Sequence, residues 1–485
     1  MFPAPYMIEE RERAGFCGLA IVYDALQANA PRHLPLLIAT DPTRTLAWRD
    51  GQPVSAAQFL AHVRQVAAQL PIANAAINLC EDRYAFLVAF CALVLRGQSN
   101  LLPSSRAPQA VDEVMSAHPG CYVVGDQALD PMPPGYRQLP PLTAESVAFD
   151  PAAPDSIEQL LIEQIPAEQI AAIGYTSGST GVPKPNLKTW GSFHASNQGN
   201  LSMLEATVVG NTFHIVATVP SQHMYGMEMS VLLPLLGEVA VHAGRPFFPA
   251  DVAAALAEIP EPRVLVTTPV HLRALVESGV ALPPLAAMLS ATAPMPLELA
   301  SQAEARFDAP LLEVFGSTET CVFASRRPTS DESWSLYPGT ILHPQPDGTS
   351  VDAPQLAQPI TLADIVSLSD GGRRFRLCGR HADLLEIAGK RASLSDLTRR
   401  LLAIPGVKDG VVLQLDDADS IGVRRIAALV VAPGLDEHSI LDALRRAIDP
   451  LFLPRPLRLV DALPRNETGK LPRAALLALL DHPHG

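Results

Sequence analysis

The sequence predicts an α/β protein: a large N-terminal domain of layered sheets and helices over residues 1–380, followed by a small α+β domain over residues 381–485. Three observations lead there. Strand-length apolar runs alternate with helical patterns, the arrangement of layers built on parallel sheets. After residue 350 the texture changes to hairpin-like alternation and short amphipathic helices. A chain of 485 residues also exceeds what one ordinary hydrophobic core holds.

The chain opens with "MFPAPYMIEERERAGF", which is acidic and lacks the basic-then-apolar layout of a signal peptide, so a cytoplasmic protein is expected. Residues 76–103 read strand, helix, strand. The run "YAFLVAFCALVL" at their centre is twelve residues long, short of the about 20 that a membrane span needs. It predicts a buried helix and no span. The Pro-rich stretch 130–156 predicts a long surface connection, and "FHIVATVPSQ", "EPRVLVTTPVHLRALVESG" and "LAAMLSATAPMPLELASQAEARF" resume the strand–helix alternation. Beyond them, "ADIVSLSDGGRRFRLCGR" flanks an Asp-Gly-Gly turn with alternating residues and predicts a β-hairpin. "SLSDLTRRLLAIPGV" and "HSILDALRRAID" predict amphipathic helices around the strands "GVVLQL" and "IAALVVAP".

Composition narrows the function. Residues 381–485 carry 14 Lys and Arg against 14 Asp and Glu, so the net charge of −14 lies wholly in residues 1–380. An acidic surface of this kind argues against nucleic acid, which needs clustered cations. The basic run Arg445, Arg446, Arg455, Arg458 and Arg465 stands out and is either a solvated face or a partner site. Cysteines 17, 80, 91, 121, 321 and 378 form no C-x-x-C pair and read as reduced, buried packing residues. The histidines show no H-E-x-x-H, and a bound transition metal is not expected.

The segment "YTSGSTGVPKPNLKTW", Tyr175 to Trp190, packs hydroxyls, glycines and a lysine together behind a short apolar run. Gly178 and Gly181 reach backbone conformations closed to other residues, which lets the N–H groups from Ser177 to Val182 converge on an anion. Thr176, Ser177, Ser179 and Thr180 add short donors and Lys184 a point charge. The P-loop of common NTPases is excluded, because Lys184 is followed by Pro185 and no helix starts there. By itself the segment is equally a Ser/Gly-rich surface turn.

Five further motifs follow it in order: "VPSQHMYG" (219–226), "VFGSTET" (314–320), "AD" (363–364), "CGRHADLLEIAGKR" (378–391) and "LPRNETGK" (463–470). Together the six resemble the adenylate-forming superfamily of acyl- and aryl-CoA ligases, peptide-synthetase adenylation domains and luciferases, across nearly the whole chain. The resemblance implies a small, mobile C-terminal domain and an active site between the two domains. It also implies that a carboxylic acid is joined to AMP from ATP with release of pyrophosphate, then passed to a thiol. On that resemblance Thr176, Ser177, Gly178, Ser179, Thr180, Gly181 and Lys184 hold the β- and γ-phosphates. Thr318 contacts the α-phosphate, Glu319 holds Mg²⁺, Phe315 and Gly316 meet the adenine, and Asp364 with Arg380 meets the ribose. His223, Met224, Tyr225, Met227, Ser290, Ala291 and Thr292 border the acid, and Lys470 bridges carboxylate and α-phosphate.

Departures from the family pattern carry information. Ala291, Thr292 and Ala293 stand where many relatives have Gly-Gly-Ala, which narrows the acid groove or shifts its strand. At the expected hinge Ala382 replaces the first of two acids, while Asp383 keeps the second. Met224 occupies the place of the aspartate that pairs with the ammonium in amino-acid-activating relatives, which disfavours an amino acid. Hydroxylated aromatic acids and medium or long fatty acids both fit. "NLCEDRYAFLVAF" and "PSQHMYGME" resemble stand-alone ligases of aryl-polyene pathways, which implies an acyl carrier protein as acceptor, with coenzyme A as the alternative. A non-catalytic scaffold would be indicated by loss of Lys470, Glu319 or the Ser/Gly loop, and all three are retained.

If the lysine acts only while charge builds between two anions, Lys470→Ala slows adenylate formation by at least about 10²- to 10³-fold. Transfer from supplied acyl-adenylate to the thiol stays near wild type. Single-turnover measurement of the two half-reactions checks this, and equal slowing of both would rule out a role confined to the first step.

Overall fold

The computed structural model describes residues 33–39, 41–143, 163–177, 183–210, 212–346, 348–380, 384–387, 390–418, 424–465 and 471–481. Two sheets dominate them. A six-stranded sheet runs in the order Pro183–Thr189, Ile170–Ser177, Ser99–Leu102, Ala75–Asn78, Tyr122–Gly125, Tyr136–Gln138. Only its first pair is antiparallel. An eleven-stranded sheet contains a parallel centre, with His214–Ala217, Arg263–Thr267, Ala287–Ser290 and Leu311–Ser317 side by side. Parallel neighbours need crossovers, and those helices cover the sheet faces.

The helix Arg83–Leu95 has no polar face because both sides are covered, and every residue from Arg83 to Val94 is buried. The Asp82 side chain caps it by accepting the Ala85 N–H at 2.8 Å. Arg83, 1% exposed, donates to the carbonyls of Ala217 and Val219 at 2.8 and 3.0 Å, and to the hydroxyls of Ser221 and Ser230. One buried guanidinium thus ties this helix to the loop that precedes His223.

Two expectations need correction. The Pro-rich stretch is not all connection: Tyr136–Gln138 pairs with Tyr122–Gly125, since the buried Tyr136 ring gives the edge strand an apolar anchor. Among the cysteines, Cys80, Cys91 and Cys321 are buried, but Cys121 is half-buried and Cys378 exposed, because the outer strand carrying Cys378 turns that side to water. Cys17 lies outside the described residues.

The hairpin Asp364–Ser369 with Arg374–Arg380 forms as read and closes one edge of the eleven-stranded sheet. Past residue 393 the apolar contacts form clusters of their own. The helices Leu394–Leu402 and Glu437–Ala447 pack on a three-stranded sheet around Leu401, Ile440 and Leu444. No helix among the described residues is long and apolar enough to cross a membrane.

His214 and His194 are held neutral by burial, which pushes each down to about 4. His214 Nδ1 accepts the Trp48 indole N–H at 3.0 Å, and His194 Nε2 donates to the Pro35 carbonyl at 3.1 Å. A depressed folded-state value means that the stabilisation is complete above the unfolded value of about 6.5 and drains away as pH falls towards 4. Urea unfolding from pH 7.5 to 4.5 therefore loses stability chiefly below pH 6.5. His214→Gln flattens that slope, and an unchanged slope would show that other groups set it.

Candidate active site

Four parallel strands end at one edge of the large sheet, and predicted site residues follow three of those ends directly. Ser290 ends Ala287–Ser290 and leads to Ala291 and Thr292, Phe315 to Ser317 end Leu311–Ser317 and lead to Thr318 and Glu319, and His223 lies beyond His214–Ala217 after a short loop. Open α/β sheets bind ligands at this edge because crossovers leave it uncovered.

In the other sheet Ile170–Ser177 and Pro183–Thr189 form a hairpin that sets Thr176 opposite Lys184 and Ser177 opposite Pro183. Directly opposed residues share a face, so the half-buried Thr176 and the exposed Lys184 flank the loop base together. Gly178, Ser179, Thr180 and Gly181 lie outside the described residues, as do Ala382, Asp383 and Lys470; the Ser177 and Arg380 side chains are also not described.

The hairpin meets the large sheet at Gly174. A Cβ there would stand 3.0 Å from Thr318 Cγ2 and 3.6 Å from Met224 Cε. The predicted α-phosphate contact Thr318 and the predicted acid-bordering Met224 therefore converge on the strand that leads into the predicted phosphate loop.

Thr318 and Glu319 sit in a tight turn between Leu311–Ser317 and Cys321–Arg326. Ser317 N–H donates to Thr320 Oγ1 at 3.0 Å, and Cys321 adopts φ 59°, a left-handed conformation uncommon for a residue with a side chain. A Cβ at Gly316 would fall 2.2 Å from the Cys321 carbonyl oxygen, so only glycine lets the strands approach this closely. Three side chains outside the predicted motif roles hold the turn from beneath. Lys188 Nζ donates to the Glu319 carbonyl at 2.6 Å, Gln355 Nε2 to the Thr320 carbonyl at 3.1 Å, and the Val322 N–H donates to Glu228 Oε1 at 3.0 Å. Burial pushes the adjoining Cys321 thiol up to about 12, so it stays neutral.

The Glu319 carboxylate is half-buried and makes no hydrogen bond or ion pair among the described residues. A free oxygen donor in such a turn suits Mg²⁺. Among the described residues no group of three or more acids, histidines or cysteines gathers to cage a metal. An ion held here draws its other oxygens from a ligand or from water.

Phe315 is half-buried with its ring centroid 5.2 to 5.8 Å from those of Phe323, Trp334 and Phe375. Asp364 pairs with Arg380 across the edge hairpin, and Thr349 Oγ1 bonds the Asp364 carbonyl at 2.6 Å. His223 stands at the N-cap of the short helix Met224–Met227. The Tyr225 hydroxyl donates to the Leu289 carbonyl at 2.9 Å, and burial raises that phenol well above its ordinary value. Ser290 is wholly buried and its Oγ meets no partner among the described residues. Thr292 takes φ 79°, so the backbone keeps the shape glycine would give it and the threonine side chain is exposed, while Ala291 is half-buried. Met227, fully buried, belongs to the main core.

Gly316→Ala forces the two strands apart and destabilises the protein by about 1–3 kcal/mol. It also displaces Thr318 and Glu319, so ATP-dependent pyrophosphate release falls more than about tenfold. Calorimetry beside that assay checks both, and wild-type values in each would show that the turn tolerates the methyl group.

The sequence profile of AMP-binding enzymes matches residues 38–352. A 4-coumarate–CoA ligase of Rhodobacter capsulatus is 30% identical over 309 residues, covering 63% of this chain and 75% of the relative. The mitochondrial malonate–CoA ligase of Bos taurus is 23% identical over 493 residues, covering 84% and 81%. The structure of o-succinylbenzoate CoA synthetase from Bacillus subtilis, solved with its acyl-adenylate intermediate, superposes with TM-score 0.71 over 94% of this chain and 97% of that one. At 18% identity that likeness is one of fold. With the matched profile spanning well over half its length, the chain belongs to the AMP-binding enzyme family and is an ATP-dependent, AMP-forming acid–thiol ligase.

Proposed function

We propose that this ligase activates a small hydroxylated aromatic acid and delivers it to the phosphopantetheine thiol of an acyl carrier protein. The observation that carries the choice of acid is the apolar wall at the reaction centre. Met224 is buried beside Gly174 and Thr318, and the acid nearest it in sequence, Glu228, is already occupied by Ser196, Asn200 and Val322. An ammonium group entering beside Met224 finds Glu228 already matched, and an unpaired buried charge is costly. The Tyr225 ring and Met224 instead offer flat and adaptable apolar surface. The resemblance to 4-coumarate–CoA ligases is in keeping with a ring acid.

In this reading the N-terminal domain, residues 1–380, binds ATP and acid, and residues 381–485 bring Lys470. Lys184 and the hydroxyl loop hold the terminal phosphates, Thr318 meets the α-phosphate, and Asp364 holds the ribose. The carboxylate oxygen attacks the α-phosphorus, its bond to the pyrophosphate oxygen breaks, and pyrophosphate leaves with the electron pair. Magnesium, held by Glu319, supplies charge neutralisation to the phosphates. Positioning and electrostatics do the rest.

Coenzyme A is the second reading for the thiol, favoured by the names of the relatives. The carrier protein is favoured by the exposed arginines of the C-terminal part. Arg445 is tied to Asp442, and Arg465 to Asp409 at 2.8 Å, but Arg446, Arg455 and Arg458 remain exposed. Such charges steer an acidic partner and act mainly on the association rate.

Pyrophosphate release with a panel of acids tests the first half: hydroxybenzoates and hydroxycinnamates should exceed palmitate and every amino acid. Faster release with palmitate would replace the aromatic reading by the fatty-acid one. Transfer to holo carrier protein should outpace transfer to coenzyme A and slow in Arg446→Glu/Arg458→Glu, most at low salt. A salt-independent rate in the double variant would assign the face to solvation alone.

A further inference from the structure

The turn that holds Thr318 and Glu319 is gripped by two buried charges whose place in the reaction no motif supplies. Lys188 lies on Pro183–Thr189, the strand that leaves the phosphate loop, and is 3% exposed. A buried ammonium persists only where it is matched by acceptors. The acceptor here is the main-chain carbonyl of Glu319, at 2.6 Å.

Glu228 is 1% exposed and opens the π-helical turn Glu228–Leu232, which continues the helix bearing Met224 and Tyr225. Single π turns inside helices recur at functional sites. Its carboxylate accepts from Ser196 Oγ, from Asn200 Nδ2 at 3.1 Å, and from the Val322 N–H at 3.0 and 3.1 Å. Burial raises the pKa of this carboxyl, while those three donors and the nearby Lys188 ammonium pull it back towards the ionised form.

We propose that Lys188 and Glu228 are positioning residues that lock the Thr318–Glu319 turn, joining the phosphate hairpin and the acid wall to one backbone element. Two observations carry this. The grips fall on the carbonyl of Glu319 itself and on the first N–H beyond the left-handed Cys321, the two places where the turn would otherwise relax. They also come from different parts of the fold, one from the hairpin that carries Thr176 and Lys184 and the other from the helical run that begins with Met224 and Tyr225. Displacement of either element on ligand binding is therefore felt at Glu319. The inference rests on the proposed roles of Thr318 and Glu319, and its test separates the two.

The full-length chain is compared as wild type, Lys188→Met, Lys188→Arg, Glu228→Gln and Glu319→Gln, with Leu272→Ala, in the helix Pro269–Ser278 and a separate apolar cluster, as a core-destabilised control. Hydrogen exchange of the amides from Ser317 to Val322 is followed without ligands. Lys188→Met and Glu228→Gln should speed it by roughly tenfold, the loss expected from one buried hydrogen bond, while the amides of Arg263–Thr267 keep their protection. The same variants should need several times more Mg²⁺ for half-maximal pyrophosphate release and lose at least about tenfold in kcat. The acid KM should stay within threefold, and Lys188→Arg should recover part of the loss. Wild-type exchange at this turn in folded Lys188→Met, or equal effects from Leu272→Ala, would overturn the proposal. Should Lys188→Met not fold, Glu228→Gln, which keeps shape and most acceptors, decides by the same exchange measurement. A Glu319→Gln variant with unchanged Mg²⁺ demand would remove the metal role from Glu319, leaving the grip to stand or fall on exchange alone.

Discussion

Parallel strands force their own connections, and that constraint organises the rest of this structure. His214–Ala217, Arg263–Thr267, Ala287–Ser290 and Leu311–Ser317 run side by side in one direction. Each must be reached by a crossover that covers a sheet face, so backbone groups and side chains meet open space mainly where the strands end. The turn after Leu311–Ser317, the bend at Ser290 and the loop leading to His223 all leave from that edge. The second sheet contributes through Gly174, whose missing side chain lets the two layers touch at Thr318 and Met224. A methyl group there would already press on the Thr318 side chain, so the close approach of the two layers depends on the glycine.

Buried charge is the second organising principle. Arg83, Lys188 and Glu228 are each almost wholly removed from water, and each is answered by main-chain carbonyls, a main-chain N–H or small hydroxyls. Apolar replacements would pack these positions with less desolvation cost, and buried ionic groups commonly trade stability for a defined geometry. In this chain all three act on segments that border the same edge: Arg83 on 217–221, Lys188 and Glu228 on 319–322. The core around Phe86, Phe90, Trp190 and Phe193 holds neutral buried amides as well, with Asn78 Nδ2 donating to the Phe86 carbonyl and Asn100 Nδ2 to the Phe90 carbonyl.

What was readable before the fold was known follows from how local the signal is. The helix Arg83–Leu95 was plain because an apolar run of that length, entered through Asp82, has few alternatives. The hairpin at 364–380 was plain from its turn chemistry. The small sheet of Ile341–Gln345, Gly348–Asp352 and Ile360–Leu362 went unread, since exposed positions and Pro344 blur its alternation. The motif residues were legible as types but not as neighbours: nothing in "GYTSGST" says that Gly174 abuts Thr318. Lys188 and Glu228 did leave a trace. A solitary acid in "MYGMEMSVLLPLL" and a lysine two residues before a buried tryptophan are groups that need partners, and the partners lie 94 and 131 residues away.

The proposed acid wall divides labour between shape and polarity. Tyr225 spends its hydroxyl on the Leu289 carbonyl, so toward an incoming acid it acts as a rigid ring. Thr292 holds a left-handed backbone and is exposed, which leaves the passage after Ser290 shaped by main chain more than by side chain. Ser290 Oγ is then the buried polar atom at this bend without a partner among the described residues. A wall built this way selects by fit, and fit discriminates by only about 1–3 kcal/mol per methylene. A hydroxyl on the substrate changes that balance, because a buried donor such as Ser290 gains a partner with one acid and stays unmatched with its deoxy analogue. On the proposed reading, the ring of the acid is chosen by Met224 and Tyr225, and any sharp preference for a hydroxylated ring must come from a polar atom of the kind found at Ser290.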